Sequence, residues 1–419
     1  MVKIWAMGKS TKQTVAIVGQ GYVGLPLAMA AVEAGWNVIG IDNSEFKVSE
    51  INAGRSPVED ISDSVLMSAL RRELYKATTD FSLVADAEVI TICVPTPLDY
   101  KREPDLSLLR RAVEDFASFV ANDTLIVSES TSYPGTLREE ILPIVERMKP
   151  LQTSVIYYAS APERVNPGDT VWNQKNTPRL VSGVNKESQV KALKFYRSIS
   201  DTVVPVSTPE VAEAAKLLEN TFRLVNIALV NEFAQICSAN NIKVNEVIDA
   251  ASTKPYGYMK FRPGVGVGGH CIPVDPLYLS WWARQAGKPT YLINSADKIN
   301  RDMPKYVAEL ALSLVDSSVT PPKVLILGVA YKPGVGDVRE TPASELVDQL
   351  KGLGAHVAWH DPLVLSWRSE KSVDLNWNCD VAILVTRHPE MQIDDLLVRG
   401  VTILDCTNSI QSLNNVKSL

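Results

Sequence analysis

Short apolar runs alternate with amphipathic stretches along the N-terminal half of the chain. Apolar runs predict buried strands at 14–19 and 37–42, and helical spacing of Ala, Leu and Met predicts a helix over 22–35 between them. Further apolar runs predict strands at 88–94, 124–128 and 154–161. Strands that alternate with helices indicate a doubly wound parallel sheet.

The pattern becomes helical in the middle of the chain. Residues 209–240 are rich in Ala, Leu, Glu and Asn and hold neither Gly nor Pro after the first position, which predicts one long helix. Gly and Pro crowd residues 254–276, which predicts a loop. Shorter helices are predicted at 244–252, 277–285 and 295–315.

A second strand–helix–strand pattern follows Pro321 and Pro322. Its predicted elements are a strand at 323–328, a helix at 342–353, and strands at 355–360, 380–385 and 401–404. The predicted fold class is therefore α/β, with two Rossmann-like doubly wound domains joined by a central helical domain that contains one long helix. The predicted domains span residues 1–205, 206–318 and 319–419.

Charge and cysteine content narrow the function classes. The 419 residues carry a net charge of −6, which gives no basic field for nucleic acid or acidic membranes. The polar leader over 1–13 lacks the apolar core of a secretory signal, and no apolar run reaches membrane length. Five widely spaced cysteines without CxxC pairs fit a reducing compartment. We therefore expect a cytoplasmic protein without a metal site, a nucleic-acid partner or a membrane.

A glycine fingerprint, GxGxxG, spans residues 19–24 between the first predicted strand and helix. Gly19 permits a tight turn, Gly21 lets the backbone approach a pyrophosphate, and Gly24 allows close helix–strand packing. The N–H groups of a helix N-terminus attract phosphate. Tyr22 and Val23, between Gly21 and Gly24, also lie at the N-terminus of the predicted helix. The segment predicts a dinucleotide site, with a purely structural glycine turn as the alternative.

Asp42 ends the second predicted strand, where a carboxylate can accept hydrogen bonds from ribose hydroxyls. Its charge would repel a 2′-phosphate, so we predict NAD rather than NADP. Pro95, Thr96 and Thr131 lie just past later predicted strands, at the edge where ligands bind such sheets. Ordinary turn positions are the alternative for these three residues.

The loop at 261–276 places four glycines shortly before Cys271. His270 and glycine precede this cysteine instead of an apolar periodic run, which favours a reactive thiol over a buried structural one. Asp275 lies in the same loop and could orient water or a lysine, or form a surface turn beside Pro276. The other cysteines lie in strand or helix patterns and are predicted to be inert: Cys93, Cys237, Cys379 and Cys406.

Three more polar residues are candidates for chemistry. Lys216 and Asn220 are spaced i, i+4 on the long predicted helix, where an ammonium beside an amide can stabilise an oxyanion. A solvated helix face is the alternative for this pair. Glu163 lies just past a predicted strand and is either a general base or a loop charge.

These features together resemble the UDP-glucose/GDP-mannose dehydrogenase family. The matching order is a Rossmann fingerprint, VPTP, ST before a proline, a PE-containing loop, a KxxxN helix, a GGxC loop with Asp four residues later, and a second Rossmann-like domain. The resemblance covers nearly the whole chain from residue 14 and is most specific over GVGVGGHCIPVDP. It favours the subgroup that acts on UDP-N-acetylhexosamines, because His270 stands where members acting on plain glucose often carry serine.

The resemblance implies roles in catalysis. Cys271 would be the nucleophile, and Lys216 and Asn220 would stabilise oxyanions. Asp275 would support Lys216 and the hydrolytic water. Glu163 would assist proton transfer and hydrolysis.

It also implies contacts with cofactor and substrate. Thr131 would lie near both, and Arg339 would approach the cofactor across a dimer. Tyr331 and Lys332 would contact the nucleotide sugar, and Arg262 would reach a neighbouring subunit's site. The remaining substrate contacts implied are Glu163, Arg164, Val165, Lys216, Asn220 and Gly268.

The function implied is NAD-dependent, four-electron oxidation of the C6 hydroxyl of UDP-N-acetylmannosamine or UDP-N-acetylglucosamine to the uronic acid, through a thioester on Cys271. The first domain would bind NAD, the last the UDP-sugar, and the central helix would form a homodimer, with the product used in cell-surface polysaccharide. Alternatives are a UDP-glucose or GDP-mannose 6-dehydrogenase, a two-electron hydroxy-acid dehydrogenase, and a non-catalytic NAD-binding protein. The hexose, its C2 epimer and the role of His270 stay open.

Overall fold

The computed structural model describes residues 13–149, 155–165, 171–410 and 413–419. All but Gln13 of the predicted leader lies outside the described residues, as does residue 154, where a strand was predicted to begin. The chain divides into two compact units, which meet in sequence between Leu218 and Glu219. Each unit has its own main sheet.

The first unit is built on an eight-stranded sheet with the order β3-β2-β1-β4-β5-β6-β7-β8. Its elements are β1 (Thr14–Val18), α1 (Gly24–Glu33), β2 (Asn37–Ile41), α2 (Glu45–Asn52), α3 (Asp63–Arg71), β3 (Tyr75–Thr78), β4 (Val89–Ile92), α4 (Ser107–Ala117), β5 (Leu125–Ser128), α5 (Leu142–Met148), β6 (Tyr157–Ser160), β7 (Arg179–Gly183), α6 (Lys186–Ile199) and β8 (Val203–Pro205). A 3₁₀ helix covers Phe81–Asp86 and a π-helical turn covers Leu137–Ile141.

The central strands of this sheet form because their continuous apolar residues are buried on both faces. Every residue of β4 and β5 is buried, which is the pattern of a parallel strand covered by helices. Leu25 and Leu27 of α1 are fully buried in the core. Ser44 and Ser62 begin α2 and α3, since each side chain accepts an N–H from the first turn.

One pair of strands departs from the parallel arrangement. β6 and β7 are antiparallel, whereas the other paired strands of the sheet are parallel. A parallel return needs a long crossover, usually a helix, and the described residues between these strands, 161–165 and 171–178, form none. The antiparallel return brings Arg179, at the start of β7, beside Glu163.

The long helix α7 (Pro209–Ala239) crosses the division between the units. The second unit continues with α8 (Val244–Ala251), α9 (Asp275–Gln285), α10 (Tyr291–Ser313), β9 (Lys323–Leu327), α11 (Pro342–Gly352), β10 (His356–His360), β11 (Ser366–Trp367), β12 (Glu370–Lys371), β13 (Val381–Leu384), α12 (Asp394–Val398), β14 (Thr402–Asp405) and β15 (Val416–Ser418). Its five-stranded sheet has the order β10-β9-β13-β14-β15 and is parallel throughout.

The predicted fold class is confirmed, with two Rossmann-like sheets and a helical stretch that contains one long helix. The long helix matches its predicted span to within one residue, and α10 begins four residues before the predicted start at 295. Among the described residues, no helix combines the length and apolar character that a bilayer span requires.

Candidate functional site

The glycine fingerprint forms a tight turn between β1 and α1. Gly19 has a φ of +95°, and a Cβ there would lie 2.5 Å from the carbonyl oxygen of Cys93. A Cβ on Gly24 would lie 1.8 Å from the carbonyl oxygen of Gly19, so both positions require glycine. No atom of the described residues lies within 4 Å of a Cβ placed on Gly21. The protein therefore leaves open the position at which a pyrophosphate is expected to approach the backbone.

Asp42 lies directly after β2 and is 5% exposed. One carboxylate oxygen accepts the N–H of Gln20 at 2.9 Å, and the other accepts the N–H of Ser44 at 3.0 Å. The Lys47 ammonium, 33% exposed, is paired with the same carboxylate at 2.7 Å. The carboxylate is thus fixed at the end of the glycine turn, with one partly exposed partner that a ribose hydroxyl could displace.

The predicted residues beyond β4 and β5 lie together at the carboxyl edge of the sheet. The Thr96 hydroxyl donates to the carbonyl oxygen of Thr131 at 2.6 Å, and the Ser130 hydroxyl donates to that of Val94 at 2.7 Å. Pro95 beside them is exposed. Because β4 and β5 are adjacent in the sheet, the loops that follow them lie side by side. These two hydrogen bonds connect the loops at the edge where such sheets bind ligands.

Glu163 is a buried carboxylate with four donors. One oxygen accepts the N–H groups of Arg164 at 2.7 Å and Val165 at 2.6 Å. The other accepts from Gln174 at 2.9 Å and from the Arg179 guanidinium at 2.7 Å. Burial favours the protonated form, but Arg179 and these hydrogen bonds outweigh it and hold the pKa of Glu163 below its ordinary value. Glu163 is therefore an ionised group and not a solvated loop charge.

The cysteine loop is fastened to the helices of the second unit by buried asparagines. The N–H of Gly264 donates to the side-chain oxygen of Asn231 at 2.9 Å. Asn231 in turn donates to Asn300 at 2.9 Å, and Asn300 donates to the carbonyl oxygen of Leu224 at 3.1 Å. Asn231 is fully buried and Asn300 is 4% exposed. The start of the loop is thereby held against α7 and α10.

The same loop packs against the segment that contains Tyr331. A Cβ on Gly268 would lie 2.8 Å from the Cβ of Tyr331, and one on Gly269 would lie 3.0 Å from its ring. Gly269 has a φ of +82°, in the region that favours glycine. The glycines before Cys271 therefore allow a close approach between two predicted site segments.

Cys271 lies one turn before α9. Its carbonyl oxygen accepts the N–H groups of Val274 at 3.1 Å and Asp275 at 2.8 Å. Asp275 is the first residue of α9 and is 3% exposed, so it is not a surface turn carboxylate. The side-chain amide of Asn220 donates to this carboxylate. The structure thus joins one member of the predicted helix pair to the predicted loop acid.

Lys216 and Asn220 are each 9% exposed on α7, so the pair does not form a solvated helix face. Glu213, one turn earlier, accepts the N–H of Gly135 at 2.7 Å. Gly135 follows the loop that contains Thr131, so this contact anchors the start of α7 to that loop. Burial raises the pKa of Glu213 to about 8 against its hydrogen bonds to backbone N–H groups.

Three stretches of the chain match models of one protein family. They are its NAD binding domain at residues 13–200, its central domain at 210–302 and its UDP binding domain at 325–412. The chain belongs to the UDP-glucose/GDP-mannose dehydrogenase family. The dehydrogenase uses NAD as its cofactor, and the residues of the glycine turn and Asp42 fit that group.

Named relatives resemble the dehydrogenase over most of its length. The UDP-N-acetyl-D-mannosamine dehydrogenase of Methanococcus vannielii is 34% identical over 92% of this chain and 89% of its own. The UDP-N-acetyl-D-glucosamine 6-dehydrogenase of Salmonella typhi is 35% identical over 84% of this chain and 82% of its own. A solved UDP-D-ManNAc dehydrogenase from Pyrococcus horikoshii is 32% identical, covers 97% of this chain and 99% of its own, and superposes with a TM-score of 0.88.

The other predicted site residues of the dehydrogenase have partners within the chain. Arg262 donates to Asn245 at 2.8 Å and Asp249 at 2.7 Å on α8. Arg339 forms a bidentate pair with Asp337. The guanidinium of Arg164 donates to the carbonyl oxygen of Pro178, and the hydroxyl of Tyr22 donates to Glu59. Val23 directly precedes the first residue of α1. Lys332 is half-buried and follows Tyr331 in sequence.

Sequence reasoning missed several residues that position these groups. Lys47 follows Asp42 by five residues, and only its place at the start of α2 could have pointed to it. Asn231 and Asn300 are 69 residues apart and gave no local pattern. Arg179 was missed because its two carboxylate partners are remote in sequence.

The C-terminal sheet of the dehydrogenase also has an aspartate directly after its second strand in sequence, but this aspartate has different partners from Asp42. Asp361 follows β10 as Asp42 follows β2, and it is 1% exposed. The fully buried His388 ring contacts its carboxylate at 3.1 Å, and the opposite ring nitrogen accepts the N–H of Gly334. Four backbone N–H groups also donate to Asp361, from Val329, Ala330, Leu363 and Val364.

Proposed function

We propose that this dehydrogenase oxidises the C6 hydroxyl of a UDP-N-acetylhexosamine to the carboxylate, in two steps that release four electrons, through a thioester on Cys271. The observation that carries the proposal is the glycine-rich loop that packs against Tyr331 just before Cys271 and ends in the Asn220–Asp275 hydrogen bond. The names of the M. vannielii and S. typhi relatives support UDP-N-acetylmannosamine or UDP-N-acetylglucosamine as the sugar.

The chemistry needs a nucleophile because an aldehyde carbon must present a second hydride. NAD, held at the glycine turn, would supply the hydride acceptor for each oxidation. After the first oxidation, the Cys271 sulfur bonds to C6 and the aldehyde oxygen takes a proton, which gives a thiohemiacetal. Loss of the C6 hydride and the hydroxyl proton leaves a thioester. Water then adds to C6, the carbon–sulfur bond breaks, and the thiol and the sugar carboxylate separate.

The polar residues of α7 and α9 supply charge stabilisation. Lys216 and Asn220 stabilise the negative oxygen on C6 in both oxidations and in hydrolysis. Asp275 orients the Asn220 amide and supports the attacking water. Glu163, which is ionised and fixed, assists removal of the water proton. Thr131 lies at the sheet edge where it meets cofactor and sugar.

The C-terminal sheet supplies the uridine nucleotide site. Lys332 offers a cation to the diphosphate, and the Tyr331 ring lies beside the Cys271 loop, where both can hold one substrate. Gly268 allows the loop to lie this close to Tyr331, because it has no side chain at the point of contact. We assign residues 1–205 to NAD, 206–318 to the helical domain and 319–419 to the UDP-sugar.

We also propose a homodimer formed through α7. Leu218, Phe222, Leu229 and Ile236 are 63%, 47%, 60% and 53% exposed, and they are spaced 4, 7 and 7 residues apart on this helix. This spacing places the four side chains in one apolar stripe along the helix. Exposure of such a stripe to water is unfavourable, and a second copy of the chain would bury it. In the dimer, Arg262 and Arg339 would reach the partner's substrate and cofactor. A thiol nucleophile must stay reduced, which places the enzyme in the cytoplasm.

The decisive experiment measures NADH formed per mole of sugar consumed, across a panel of UDP-N-acetylmannosamine, UDP-N-acetylglucosamine, UDP-glucose and GDP-mannose. We expect two NADH per uronic acid with one of the first two sugars. One NADH with free aldehyde would remove the thioester route, and preference for UDP-glucose or GDP-mannose would overturn the sugar assignment. Cys271→Ala should abolish net turnover, and Cys271→Ser should stall at the acyl step.

A further inference from the structure

A buried cation joins two acids behind the sheet edge of the first unit. The Arg179 side chain is 4% exposed, and its guanidinium donates to Glu129 at 2.8 Å and to Glu163 at 2.7 Å. Glu129 directly follows β5 and its side chain is fully buried. Both acids thus depend on one guanidinium for their charge compensation.

Neighbouring residues complete this cluster. The Tyr196 hydroxyl on α6 donates to the second oxygen of Glu129 at 2.6 Å, and the Arg179 guanidinium lies 5.2 Å from the Tyr196 ring centroid. Gln174 contacts both Arg179 and Glu163. The buried Cys93 thiol also faces the two acids, and their charges contribute to raising its pKa. In the described part of the chain, the side chains that face Glu129 and Glu163 are therefore those of Arg179, Tyr196, Gln174 and Cys93.

The bonds to Glu163 fix its orientation. Four donors surround its two oxygens, two on each. Two of these donors are backbone N–H groups of its own loop, and a third is the guanidinium of Arg179. The planar guanidinium directs one nitrogen to Glu129 and another to Glu163. A carboxylate held in this way has one orientation, and its donors favour the ionised form.

We propose that Arg179 is the positioning residue for Glu163, and that Glu129 shares this guanidinium and thereby sets the basicity of Glu163. The inference rests on the proposed function, in which Glu163 assists the attack of water. Arg179 acts through Glu163 and touches neither substrate nor cofactor in this role.

The ionisation of Glu129 supports this arrangement. Burial raises the pKa of Glu129 to about 7, although Arg179 and the Tyr196 hydroxyl oppose the rise. Above that pH, Glu129 carries charge and competes with Glu163 for the guanidinium. The basicity of Glu163 should therefore rise as Glu129 ionises.

The first experiment compares Arg179→Lys with the wild type in pH profiles of kcat and kcat/KM. A lysine keeps the charge but lacks the planar fork that places one guanidinium nitrogen on each carboxylate, so its bond to Glu163 should weaken. The pKa of Glu163 should then rise, and the acidic limb of kcat/KM should move up by about one pH unit. We expect kcat to fall about tenfold with the sugar KM changed less than about threefold. The matched control is Arg110→Gln, which removes an exposed arginine pair with Glu140 at 2.7 Å.

The second experiment uses Glu129→Gln and needs no substrate. Glu129 has a folded-state pKa above its ordinary value, so the folded chain binds extra proton and the free energy of unfolding falls as pH rises from about 5 to about 7. Glu129→Gln should flatten this fall and remove the inflection near pH 7 from the kcat/KM profile. Arg110→Gln should leave both unchanged.

The outcomes separate this inference from the proposed function. If no nucleotide sugar gives NADH, the proposed function fails, and the unfolding experiment still decides whether Glu129 titrates beside Arg179. An unchanged pH slope in Glu129→Gln would overturn the inference. So would a wild-type pH profile in Arg179→Lys with only a lower melting temperature, since that is the result of a purely structural residue.

Discussion

Asn220 on α7 donates its side-chain N–H to the carboxylate of Asp275, the first residue of α9. This hydrogen bond is buried and joins residues 55 apart in sequence. It fixes both the amide that faces the expected oxyanion and the helix that follows Cys271. In the proposed mechanism, the bond would therefore couple charge stabilisation by Asn220 to the position of the loop that contains Cys271.

Asn220→Asp tests that coupling. The substitution removes the donor and places a second acid against buried Asp275, so two like charges compete for one site. We expect kcat to fall on the order of 100-fold, as when one oxyanion donor is removed. Steady-state NADH formation measures it, with Asn240→Asp, at an exposed asparagine just past α7, as control. A kcat within about threefold of wild type would contradict the assignment.

Two glycines of the fingerprint should respond differently to alanine. A Cβ on Gly24 would overlap the Gly19 carbonyl oxygen, whereas a Cβ on Gly21 would meet no atom within 4 Å in the part of the chain that the structure describes. Gly24→Ala should lower the melting temperature by several degrees, because overpacking costs about 1–3 kcal/mol. Gly21→Ala should leave melting unchanged and raise the KM for NAD about tenfold or more, since its methyl lies where the pyrophosphate approaches. Equal melting shifts would argue against this reading of Gly21.

Alkylation should distinguish Cys271 from the other thiols. Cys93, Cys237, Cys379 and Cys406 are at most 9% exposed. Burial raises the pKa of Cys379 to about 11 and those of Cys93 and Cys406 further above their usual range, which suppresses the reactive thiolate. Iodoacetamide near neutral pH should therefore add one group per folded chain, located at Cys271 by peptide mass spectrometry. Cys379→Ser should label and turn over like wild type, and first modification at a buried thiol would refute the selectivity.

The apolar stripe on α7 predicts an effect on molecular mass. Leu229→Glu places a charge in the proposed seam, where its copy would face it, so the dimer should dissociate. Light scattering after size exclusion should give a mass near 46 kDa instead of twice that value. Val190→Glu on α6, where valine is 61% exposed, is the matched surface control. A dimer that persists in Leu229→Glu would place the interface elsewhere.

Glu213 predicts a pH dependence of stability. Its pKa is about 8 in the folded chain against an ordinary value of 4.5, so the folded chain binds more proton between these values. The free energy of unfolding should therefore fall as pH rises from about 5 to about 8. Glu213→Gln keeps an acceptor for Gly135 and should flatten the fall in urea titrations. Glu232→Gln, at an exposed position of the same helix, should keep the wild-type slope.

Local patterns predicted the parts of the molecule that local interactions determine. The fingerprint, Asp42 and the long helix follow from residues close in sequence, and the structure has them where they were predicted. The start of α10 was placed late because Tyr291 and Leu292 in its first turn are 79% and 66% exposed, which hides the amphipathic period.

Long-range contacts account for what sequence patterns could not provide. Glu163 looked like either a base or a loop charge, and its state depends on Arg179, which the antiparallel return of β7 brings back to it. The partner of Asp275 is Asn220 on α7, 55 residues away. The cysteine loop is held by Asn231 of α7, 33 residues from Gly264, and Asn231 is held in turn by Asn300 of α10. Such pairings depend on tertiary packing, which no spacing in one sequence reveals.

The acids at equivalent places in the two sheets, Asp42 and Asp361, have different partners. In the first sheet, a partly exposed lysine is the flexible partner of Asp42, so an incoming sugar hydroxyl can replace it. In the second, Asp361 is saturated by four main-chain amides and a sealed imidazole, and reaching it would mean dismantling the turn after β9. The two Rossmann-like sheets thus present equivalent acids in different states: Asp42 keeps a partner that a ligand can replace, and Asp361 is enclosed by its own chain.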